Sequence, residues 1–106
     1  MIRTALANAA LPTLEARTAE QALQIFSSHP DQIVLIITDL VMPRMGGLDL
    51  ANEIGTLRPR IKMLYISGYF KSVVSQSMAH TNPRMVLLKP FTGPQIVARV
   101  LELLRT

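Results

Sequence analysis

The chain has 106 residues, 49% of them hydrophobic, with 11 Lys or Arg against 7 Asp or Glu for a formal charge of +4, which suits one compact domain with one core. Cysteine is absent, so disulfide frameworks, thiolate nucleophiles and Cys-rich zinc sites are excluded, and any chemistry must use oxygen or nitrogen groups. No apolar run approaches the roughly 20 residues needed to cross a bilayer, and the start lacks the basic-then-apolar pattern of a signal peptide, so a cytoplasmic protein without membrane attachment is expected. The basic residues are scattered from Arg3 to Arg105. That spacing reads as a solvated surface rather than a nucleic-acid face.

In chain order, residues 1–10 are Ala-rich with no Gly and no β-branched run, which predicts a helix that Pro12 ends. A short extended piece is predicted over 13–17. Thr18 with Gln21 three residues on forms a capping-box pattern, and Ala19, Ala22, Leu23 and Phe26 then share one face of a helix that stops near Ser28, before Pro30. Residues 33–37 read Ile-Val-Leu-Ile-Ile. Such a continuous β-branched run, rather than an alternating one, predicts a strand covered on both faces, as in a parallel sheet. Thr38 and Asp39 break it, and residues 40–47, with Pro43, Gly46 and Gly47, predict a loop turning into a helix. Leu50, Ala51, Ile54 and Leu57 carry the helical period, which Pro59 closes.

Residues 61–66 predict a second buried strand, ending in Ser67-Gly68-Tyr69. A weakly periodic stretch follows through Phe70, Val73, Val74 and Met78. Residues 85–88 predict a third strand, ending in Lys89-Pro90, and Ile96, Val97, Val100, Leu101 and Leu104 predict a terminal helix after Thr92 and Pro94. Strands alternating with helices imply a parallel α/β sheet in one domain over 1–106, with no repeat, linker or boundary.

Parallel α/β sheets place their ligand sites beyond the carboxyl ends of the strands. Asp39, Ser67 and Lys89 each follow an apolar run, so this fold would gather a carboxylate, a hydroxyl and an ammonium at one rim. An aspartate can act as a nucleophile toward a phosphoryl donor. A lysine point charge and a hydroxyl suit the charge that then gathers on the phosphoryl oxygens. Each residue also has a plain structural reading: Asp39 as a strand-end cap, Ser67 as a turn hydroxyl before Gly68, Lys89 as a solvated charge. His29 and His80 lack metal-ligand spacing and are read as surface residues. Arg44, beside the site, is read as a solvated loop charge. A hydrolase is disfavoured because Val41, not a second aspartate, stands two residues after Asp39.

The stretch Ile36-Ile37-Thr38-Asp39-Leu40-Val41-Met42-Pro43-Arg44-Met45-Gly46-Gly47 resembles the phospho-acceptor strand and following loop of response-regulator receiver domains of bacterial two-component systems. Tyr65-Ile66-Ser67-Gly68-Tyr69 resembles the strand with the switch hydroxyl, and Leu87-Leu88-Lys89-Pro90-Phe91 the strand with the family lysine. The last two motifs are most similar to receivers attached to hybrid histidine kinases. The resemblance implies a flavodoxin-like three-layer α/β/α domain that is not an enzyme. Its role would be in phosphorelay signal transduction, with Asp39 as phospho-acceptor, Ser67 as switch hydroxyl and Lys89 as counter-charge. Its partner would be a histidine kinase or phosphotransfer protein, and Lys89-Pro90 is a candidate cis peptide.

Two departures from the family pattern shape the expectation. The family's first strand, which ends in an acidic pair that helps hold Mg2+, would fall upstream of Met1. The sheet is therefore expected to lack its central strand, and the run 33–37 to present an open apolar edge that favours a homodimer. With Asp39 and the Val41 carbonyl as the remaining protein ligands, Mg2+ binding is expected to be weak or absent, and phosphorylation correspondingly slow. In addition, Val86 occupies the position where many receivers carry a switching aromatic. A phosphorylation-independent protein-interaction module is the alternative reading.

Overall fold

A computed structural model describes residues 2–29, 31–39, 47–68 and 85–105, without the side chains of residues 47–49. The elements run α1 (Ile2–Asn8), α2 (Ala19–Ser28), β1 (Leu35–Asp39), α3 (Gly47–Leu57), β2 (Lys62–Ser67), β3 (Val86–Leu88) and α4 (Gly93–Leu104). The strands form one parallel sheet in the order β1-β2-β3. Its faces are covered differently. On one, Leu64, Ile66 and Leu87 of the sheet pack with Leu6 of α1 and with Ile96, Val100 and Leu103 of α4. On the other, Ala19 and Phe26 of α2 pack with Leu50 and Ile54 of α3, and Ile36 of β1 lies against them. The expected α/β/α layering is therefore present, and it accounts for the apolar runs of β1 and β2, which face helices on both sides.

The helix ends follow from local chemistry. In α1 the Leu11 N–H donates to the Leu6 carbonyl at 2.9 Å and the Ala10 N–H to the Ala7 carbonyl at 3.0 Å. Ala10 takes a left-handed φ of 62° between them. This pair of bonds is a Schellman motif, and it ends the helix before Pro12 forces the matter. A Cβ in that conformation costs about 1 kcal/mol. Ala10→Gly is accordingly expected to raise stability by about 1 kcal/mol, an upward shift of roughly 4 °C in Tm read by circular dichroism. An unchanged or lowered Tm would contradict this account of the turn.

Thr18 caps α2 as expected, its Oγ1 accepting from the Gln21 N–H at 3.0 Å. The reciprocal bond differs, because the Gln21 side chain accepts from the Arg17 N–H at 2.7 Å, one residue earlier than in a capping box. At the other end His29 is half-buried rather than a plain surface residue: its backbone N–H closes α2 and its Nδ1 lies 3.1 Å from the Ile25 carbonyl oxygen. In α4 the full box forms, with Thr92 Oγ1 accepting from the Gln95 N–H and the Gln95 side chain accepting from the Thr92 N–H. A side chain at Gly93 would come within 3.3 Å of the Ala5 Cβ, so glycine lets α4 begin close against α1.

Residues 13–17, expected as a short extended piece, join no ladder; an extended segment makes no strand without a neighbour to bond. Two expectations are corrected. The first strand lies two residues later than the run 33–37, because the Ile33 carbonyl is taken by Arg58 Nη1 at 2.6 Å while Asp39 pairs in register with Ile66. Gly47 belongs to α3 rather than to the loop before it. The rest of that loop, including Val41 and Arg44, the stretch through Phe70, Val73, Val74 and Met78, and His80 all lie outside the described residues. Among the described residues β1 pairs with β2 alone, leaving its other side as the sheet's edge.

Candidate functional site

Parallel strands in register end together, and here the three residues singled out from sequence arrive at one rim. Asp39 is the last residue of β1 and Ser67 the last of β2. Lys89 directly follows β3, and its N–H donates to the Ser67 carbonyl at 2.8 Å, extending the β2–β3 ladder by one step. From there the Lys89 side chain crosses the end of β2 and brings Nζ to 3.5 Å from Asp39 Oδ1. Both side chains remain about half exposed, at 51% for Lys89 and 52% for Asp39. The ion pair is thus open to solvent, and a reacting group can approach it. The Lys89-Pro90 bond is cis, as the sequence pattern suggested.

Beneath this pair the chain is buried and polar in two places. Ser67 is 5% exposed and Thr38 7%. Thr38 Oγ1 donates to the Asp39 carbonyl at 3.1 Å, fixing the turn of the backbone where the carboxylate is presented. In the sequence Thr38 stands only as the end of an apolar run. The signal was its hydroxyl next to a strand-end acid, a side chain that bonds locally to backbone. Val86 is buried against Met63 and Tyr65, and its carbonyl accepts from Arg99 Nη1 at 2.7 Å.

Tyr65, the register partner of Val86 and two residues before Ser67, is 4% exposed. Burial pushes its phenol pKa above the ordinary value of 10.0. The unfolded chain gives up this proton first as pH rises, so the stabilisation it represents is fully present below about pH 10 and is lost as pH climbs toward the folded value. The urea midpoint of the parent is expected to fall more steeply above about pH 10 than that of Tyr65→Phe. Parallel decline of the two would assign the alkaline loss to other groups.

Metal binding has less support from these residues. Among those described, nowhere do three or more His, Asp or Glu side chains come together, and the Asp39 carboxylate faces a lysine. Mg2+ requires near-octahedral oxygen ligation. The described donors do not by themselves fit a Mg2+ site.

A parallel α/β layer sandwich that brings a carboxylate and an ammonium together at its carboxyl rim has the architecture whose ligand sites lie beyond the strand ends. Residues 1–101 match the family model of the response regulator receiver domain. The chain belongs to that family and is a receiver domain of two-component signal transduction. It is 30% identical over 90 residues to the sensor kinase CckA of Brucella abortus, covering 85% of this chain and 10% of that protein. With the response regulator receiver protein CpdR of the same bacterium it shares 30% identity over 70 residues, 66% of this chain and 58% of CpdR. The chain thus spans a tenth of one relative and somewhat over half of the other.

Among solved structures, a receiver domain protein from Clostridium thermocellum superposes with a TM-score of 0.86 at 22% identity, covering 98% of this chain and 82% of that one. The receiver domain of NtrX from Brucella abortus gives 0.85 at 22% identity, over 99% and 88% of the two chains. A chain of the CheX-CheY-BeF3-Mg2+ complex from Borrelia burgdorferi gives 0.80 at 18% identity, over 95% and 76%. These likenesses establish the flavodoxin-like receiver fold. No helix among the described residues is long and apolar enough to cross a membrane.

Proposed function

We propose that this receiver domain accepts a phosphoryl group on Asp39 from a phosphohistidine of a histidine kinase or phosphotransfer protein. The observation that carries the reading is the approach of Lys89 Nζ to Asp39 Oδ1, 3.5 Å apart at the open carboxyl rim. In the transfer, an Asp39 carboxylate oxygen bonds to phosphorus as the donor's P–N bond breaks. The imidazole leaves with the electron pair, and the aspartate becomes an acyl phosphate. Lys89 offsets the charge on the phosphoryl oxygens from a position the fold has already fixed. Ser67, just beneath the rim, supplies a hydroxyl that follows those oxygens when the group is in place. The resemblance of this chain to part of a sensor kinase agrees with a histidine-kinase donor.

The test is incubation with acetyl phosphate and Mg2+, followed by intact mass spectrometry, on the parent and on Asp39→Ala, both checked for folding by circular dichroism. A gain of one phosphoryl mass in the parent alone is the expected result. Equal gain in Asp39→Ala would move the acceptor elsewhere, and no gain in a folded parent would refute phosphoryl acceptance from this donor.

A further inference from the structure

We draw no further inference here: the strongest candidate, the outer edge of β1 with the exposed Val34 leading into it, is an apolar strand edge that pairs with β2 alone among the described residues, and nothing in the structure shows what covers it.

Discussion

Leu64→Ala is expected to lower the unfolding free energy by about 2–5 kcal/mol, measured as a fall in the urea midpoint at unchanged slope. Leu64 is fully buried, at 0% exposure, in the middle of the central strand of the described sheet. It stands in register with Ile37 and shares a cluster with Ile66, Leu87, Ile96 and Val100. Those neighbours belong to three strands and the terminal helix, so they cannot all close over a lost isobutyl group, and a cavity stays behind. For a domain held by about 5–15 kcal/mol, that loss is a large share of the whole. Leu64→Met, which nearly conserves volume, should cost less than about 1.5 kcal/mol. Leu101→Ala on the exposed side of α4 should stay within about 0.5 kcal/mol. If Leu64→Ala behaved like the Leu101 variant, the packing described for this face would be wrong.

The second large effect falls on function. Under the proposed phosphoryl transfer, Lys89→Met is expected to slow incorporation on Asp39 about 100-fold, since one preorganised charge next to the developing phosphoryl charge is worth about that much in rate. The same substitution should move stability by no more than about 1 kcal/mol, because both partners of the Asp39 pair are half exposed and solvent screens them. Time-resolved mass spectrometry with acetyl phosphate reads the first quantity and a urea titration the second. A parent-like rate would remove Lys89 from the reaction. A slow rate that merely tracks lost stability would reduce it to a structural residue.

Much of this arrangement could be read from the chain. Thr18 with Gln21 announced the start of α2 because capping is local chemistry within four residues. The meeting of Asp39, Ser67 and Lys89 was also legible: once three buried runs are taken as parallel strands, the residues that end them must share a rim. What escaped were features set by contacts distant in sequence. Arg58 takes the Ile33 carbonyl from 25 residues away and lies 5.9 Å over the Phe26 ring, which starts β1 at Leu35 rather than Ile33. Arg99 reaching Val86, and the burial of Thr38 and Tyr65, depend likewise on elements brought together only by folding. Residues 13–17 show the converse. They are expected to be extended, yet an extended segment supplies no partner of its own, and they form none of the sheet.

The bond from Arg99 to the Val86 carbonyl bears on solubility. β3 is only three residues long, and one of its carbonyls is occupied by a guanidinium anchored in α4. A bare strand border can template a neighbour from another molecule, whereas a short one bearing a charged side chain on its backbone is a poor template. Among the described residues, edge-to-edge growth of the sheet into aggregates is therefore blunted on the β3 side, and a search for residues that govern precipitation should begin at β1.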